Sequence, residues 1–146
     1  MIQRIQTIYL FLAAILAGVY LYTPILVFET GQNSQLMRAW ELKYFYDGYF
    51  IFLVAIGAGI SVGASLIAVL LFKKPTLQKA FSWLSILGML FCFFYSLSKW
   101  YYVDYIEDSI FYYGNITPWV VIILNLLAIR GINHDQRLVR SYDRLR

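Results

Sequence analysis

Four uninterrupted charge-free runs, at 5–28, 48–72, 80–98 and 109–129, are set between short polar segments that hold every charged residue of the chain. Even the shortest run rises roughly 29 Å as a helix, at about 1.5 Å per residue, which matches the hydrocarbon core of a bilayer. In LFLAAILAGVYLY and SWLSILGMLFCFF apolar residues lie on every side with no period of two, so membrane strands, which alternate over about ten positions, do not fit. The pattern predicts an all-α membrane protein. It would form one domain, 1–146, with four transmembrane helices in an antiparallel bundle, at about 5–28, 48–72, 80–98 extending toward 105, and 109–130. A cytoplasmic tail, 131–146, would complete the chain as a short amphipathic C-terminal helix.

Composition agrees: 61% of residues are apolar and 14% charged, against about 45–50% and 25% in soluble domains. Arg4 ahead of an apolar run also resembles a signal peptide. The run is longer than an h-region of about 7–15 residues, however, and no small-x-small site ends it, so the first segment is read as a retained span. The single cysteine, Cys92, cannot form an internal disulfide and is read as a packing residue.

Charge supplies orientation. Four spans put both termini and the FKKPTLQK loop on one side, where nine basic residues face Asp135 and Asp143, a net +7. The other side holds Arg38, Lys43 and Lys99 against six carboxylates, a net −3. Lysine and arginine near span ends favour the cytoplasm, so the reading is a multi-pass membrane protein with both termini and the FKKPTLQK loop inside. The outward side collects aromatic residues around Trp40 and Tyr44–Phe50 and again around Trp100–Tyr105, as the headgroup level favours. Its first connection holds a turn, GQNS, and then SQLMRAWELKYFYDGYF, which reads as a short interfacial helix capped by Ser34.

Packing is written most plainly in AIGAGISVGASLIA. Ala55, Gly59 and Gly63 recur every four residues and would let helix backbones approach; Gly57, Ser61 and Ser65 form a second small stripe beside them. Ala13, Ala14, Ala17 and Gly18 offer a partner stripe on the first helix. Contact within the monomer is the expected use, and a homodimer seam the alternative.

Chemistry is sparse. Gly59-Ile60-Ser61-Val62-Gly63 matches the G-x-S-x-G of hydrolases, but that motif needs a strand-to-helix turn and a nearby base, and this serine is mid-helix with His134 far along the chain. Asp104, Glu107 and Asp108 would share a helical face and could hold a ligand or cation; a solvated outward face is the plainer reading. With one histidine and one cysteine in the chain, a metal centre of those ligands is not expected, and no cofactor is. The spans contain no ionisable side chain of the kind that marks ion pathways. On the tail, Leu138, Tyr142 and Leu145 form one stripe and Arg137, Arg140 and Arg144 the next, as in a basic helix beside anionic lipid. Nucleic acid is a poor fit, because stacking aromatics and any reading module are missing.

MIQRIQTIYLFLAAIL at one end and LAIRGINHDQRLVRSYDRLR at the other resemble a family of four-helix inner-membrane proteins of Bacteroidota, a domain of unknown function. The likeness covers the chain in layout and is specific at the two ends. It implies an integral membrane protein without assigned activity, and it transfers no functional residue. It suggests that Gln3, Arg4, Arg137, Arg140, Asp143 and Arg144 form a cytoplasmic signature. The expected function is therefore a non-enzymatic scaffold or accessory subunit docking a protein partner through Arg4, Arg137, Arg140, Asp143 and Arg144. A lipid, small-molecule or transport-associated role for the outward face is the alternative.

Overall fold

The computed structural model describes residues 3–30, 33–38, 48–103, 109–111 and 113–143. Helices account for most of them: α1 Gln3–Tyr20, α2 Gly48–Leu70, α3 Pro75–Val103 and α4 Thr117–Asp143. Three short strands, β1 Pro24–Thr30, β2 Asn33–Arg38 and β3 Ser109–Phe111, lie between them.

The four helices close a ring, with α1 against α2 and α4, α2 against α3, and α3 against α4. Its centre is lined by small and branched side chains. Ala13 and Ala17 of α1 meet Ile86 and Met89 of α3 and Val121, Ile122 and Ile129 of α4, and Leu10, Ala68 and Ala128 join α1, α2 and α4. Polar groups are buried and large apolar ones are turned out: Ser61, Ser85 and Asn125 are inaccessible, while Leu87 is 60% and Phe94 59% exposed. In water that outer surface would be an aggregation hazard; in lipid it is the solvated face. By length and composition three helices can cross a membrane, at Leu53–Leu70, Pro75–Ser98 and Gly114–Val139, whereas the apolar part of α1, Ile5–Tyr20, is shorter.

Several expected boundaries move. The first helix ends at Tyr20, not near 28. Thr23 Oγ1 donates to the Tyr20 carbonyl at 2.9 Å, and Pro24 drives the residue before it out of the helical region. The adjoining segment, ILVFET, is rich in β-branched and aromatic residues and forms the central strand of an antiparallel sheet of order β2-β1-β3. Glu29 pairs with Ser34 and Thr30 with Asn33, so the expected interfacial helix from Ser34 is a strand as far as Arg38; positions 39–47 lie outside the described residues. Leu26 and Val27 pair with Phe111 and Ile110, so 109–111 belongs to the sheet and not to the fourth span. A 3-10 turn, Tyr113–Ile116, leads into α4, which starts at Thr117 with Pro118 in the first turn, where a missing N–H does no harm. At its far end α4 runs on to Asp143 without a break, so the expected tail helix is the continuation of the fourth helix.

Candidate functional site

Polar side chains gather in three layers along the bundle. The first lies where α1 and α3 begin and α4 passes them, about two turns before its own end. Gln6 is buried, and its Nε2 donates to Asp135 Oδ2 at 2.6 Å. The amide reaches past Gly131, where a Cβ would sit 2.8 Å from Gln6 Cγ. Lys79 of α3 extends to the same turns of α4, donating to Asn133 Oδ1 at 3.1 Å and Gln136 Oε1 at 2.8 Å. A cleft of about 420 Å³ opens beside this junction, lined by Gln6, Lys73, Gln78, Asp135 and Gln136 among others. Three helices that are remote in sequence are thus tied by charge-assisted hydrogen bonds, which are stronger than neutral ones. Asp135→Ala is expected to cost about 1–3 kcal/mol, because it leaves the Gln6 amide without its acceptor in a buried position. Chemical unfolding in detergent measures it, with exposed Ser141→Ala as the reference change.

The second layer is the middle of the bundle. Ser85 of α3 is its hub: its hydroxyl is 2.8 Å from Ser61 Oγ and 2.8 Å from Ser65 Oγ, and Asn125 Nδ2 of α4 donates to it at 3.3 Å. Asn125 also donates to the Val121 carbonyl at 3.0 Å, and its Oδ1 is buried without a partner among the described residues. Beside this layer α2 and α3 meet backbone to backbone. A Cβ on Gly88 would come within 2.8 Å of the Gly57 carbonyl oxygen, and one on Gly57 within 2.7 Å of Cys92 Sγ. Cys92 Sγ itself lies 3.4 Å from the Val54 carbonyl, in line with a packing role.

The third layer joins the sheet to the helices. Asn115 Nδ2 donates to the Ile25 carbonyl at 2.8 Å, and Ser96 Oγ donates to Asn115 Oδ1 at 2.8 Å. Gly114 lies so close to Pro24 that a Cβ would overlap the Pro24 carbonyl.

The residues singled out from sequence fall unevenly on this frame. Arg137 is exposed on α4. Arg4, Arg140 and Asp143 belong to helices, but their side chains lie outside the described residues, as do Arg144 and the carboxylates Asp104, Glu107 and Asp108. On α2 the packing stripe is the neighbouring one: Gly57, Ser61 and Ser65 face α3, while Gly59 and Gly63 would carry a Cβ with nothing within 4 Å, and Ala55 is half-buried. The serine of the G-x-S-x-G match is wholly buried and shares its hydrogen bond with Ser85. No pattern in the sequence groups Gln6, Lys79, Asn133, Asp135 and Gln136, or marks Asn115 and Asn125 as interior partners. The two asparagines left a signal, being amides inside an otherwise apolar run, but a search for charged groups skips them.

A ring of four helices, three of them long and apolar enough to span a bilayer, with polar groups inside and large apolar side chains outside, is the build of a small membrane-type bundle. The chain belongs to the family defined by the domain of unknown function DUF4293, whose model matches residues 2–145. No curated protein and no solved structure matches it.

Proposed function

We propose that this protein is a non-enzymatic inner-membrane scaffold or accessory subunit that docks a protein partner on its cytoplasmic face. Its four helices would cross the bilayer antiparallel, with both termini inside. The contact of Gln6 with Asp135 and of Lys79 with Gln136 supports that arrangement, because it brings the starts of α1 and α3 to the later turns of α4. The inward placement rests on the +7 to −3 charge asymmetry between the two sides.

The observation that carries the docking role is the junction itself. Hydrogen bonds to Gln6 and Lys79 hold α4 at Asn133–Gln136, about two turns before its end, beside the 420 Å³ cleft. Lipid solvation of a span requires no such cross-link. A partner-binding surface gains from it, since groups ordered in advance need not be ordered on binding. The continuous α4 runs on past the junction to Asp143.

Affinity purification in mild detergent tests this, comparing the full chain with one ending at Val139. That cut keeps Asn133, Asp135 and Gln136, so the bundle end stays intact. A protein that co-purifies with the full chain and is lost with the shorter one is the expected result; identical co-purifying sets from both would overturn docking through the end of α4, and no co-purifying protein with either would overturn the docking role.

A further inference from the structure

A second groove, of about 680 Å³, runs along the outside of α1 and α4, lined by Tyr9, Leu126, Leu127, Arg130, His134 and Arg137, with Ile129, Gly131 and Asn133. Its chemistry changes along its length. Leu126 is 43% and Leu127 41% exposed, and half-buried Tyr9 faces this end from α1. One turn further on come Arg130, His134 and Arg137, with both arginines exposed. Spacings of three and four place Leu127, Arg130, His134 and Arg137 on one side of α4. The charge-free run ends at Ile129, so the border between apolar and basic surface crosses the groove itself. Asp135, the carboxylate of this stretch, is turned to Gln6 and is not among the lining residues.

We propose that this groove is a binding site for one anionic phospholipid, with the phosphate among Arg130, His134 and Arg137 and an acyl chain along Leu126, Leu127 and Tyr9. The inference rests on the membrane-spanning reading with α4 ending on the cytoplasmic side. It goes beyond that reading by assigning one ligand to one groove and its residues, of which Arg137 alone belongs to the basic stripe of the tail. The argument for lipid over an acidic protein segment is the groove's composition. A lipid has its charge and its hydrocarbon arranged end to end, as this groove does, and basic pockets between helices on the cytoplasmic side suit such headgroups. Two guanidiniums with no carboxylate among the described lining residues set the preference for an anion.

The test uses the full chain in mild detergent, with native mass spectrometry against phosphatidylglycerol and phosphatidylcholine of the same acyl chains. Wild type is expected to retain one phosphatidylglycerol with a preference of about thirtyfold, roughly fivefold per arginine, and to lose that preference as salt is raised. Arg130→Gln/Arg137→Gln should bind the two lipids equally, and water-soluble glycerophosphoglycerol in large excess should not displace the lipid. Equal retention of both lipids by wild type would overturn the proposal. So would an equal loss in Arg140→Gln/Arg144→Gln, which would assign the preference to diffuse tail charge, or displacement by a soluble acidic peptide, which would assign the groove to a protein segment. Because both arginines are exposed, the variants should elute from gel filtration as wild type does. Whether each protein stays in the membrane fraction after alkaline extraction reports on the spanning reading separately.

Discussion

Gly88→Ala is expected to destabilise the bundle by about 1–3 kcal/mol, the range for forcing extra volume into a packed interior. The added Cβ would come within 2.8 Å of the Gly57 carbonyl oxygen and 3.4 Å of Ser61. Backbone cannot rotate out of the way as a flexible side chain can, so α2 and α3 must separate. Separation also stretches the bonds from Ser61 and Ser65 to Ser85, which are already at 2.8 Å. Interhelical hydrogen bonds in membrane bundles average about 0.6 kcal/mol, so packing supplies most of the loss. Unfolding by a denaturing detergent, followed by circular dichroism, measures it. Gly59→Ala and Gly63→Ala are the decisive comparison, since a Cβ at either meets nothing within 4 Å. They should leave the midpoint unchanged or raise it slightly, because alanine is the better helix former. Equal losses at all three positions would mean that the helices do not meet through Gly57 and Gly88.

Asn115→Leu is expected to loosen the sheet while leaving the helices in place. The wild-type amide donates to the Ile25 carbonyl at the start of β1 and accepts from Ser96 of α3. Ser96 has a second acceptor, the Phe93 carbonyl at 2.9 Å, so its hydroxyl is not stranded by the change. The Ile25 carbonyl loses its amide donor, and an unsatisfied buried group costs about 1–3 kcal/mol. At 1.4 kcal/mol per decade, amide exchange in β1 should quicken by about tenfold to a hundredfold. Ser98→Ala, which removes an exposed hydroxyl from the Tyr95 carbonyl, should leave that exchange unchanged. If β1 exchanges at the wild-type rate in Asn115→Leu, strand pairing alone holds the sheet.

Four helices are readable because a charge-free run of this length has few stable alternatives in an apolar solvent. The end of the first is less readable. ILVFET is as apolar as the helix before it, and Pro24 together with the GQNS turn gave the available hint of a hairpin. The pairing that stabilises β1 comes partly from Ser109–Phe111, far along the chain, and no local pattern announces it. The small stripe on α2 shows a second kind of limit. Gly59 and Gly63 repeat as regularly as Gly57 and Ser61, and with apolar residues on all sides the helix carries no polarity that says which stripe faces inward. Gln6 and Asp135, separated by 129 positions, show a third: each alone looks like an ordinary polar residue at a helix end.

Hydropathy is a property of residues, and it was enough to establish four helices and an apolar outer surface. Each arises from the transfer of single side chains or short segments between water and lipid, which needs no partner to be evaluated. The junction of Gln6, Lys79, Asn133, Asp135 and Gln136, the Ser85 hub, the Gly57–Gly88 contact and the docking of β1 on Asn115 came from the assembled bundle. They depend on distances between groups on different elements. A bilayer leaves those distances open, because helices already solvated by lipid gain little hydrophobic energy from one choice of neighbour over another, and small-residue packing and buried hydrogen bonds decide among them.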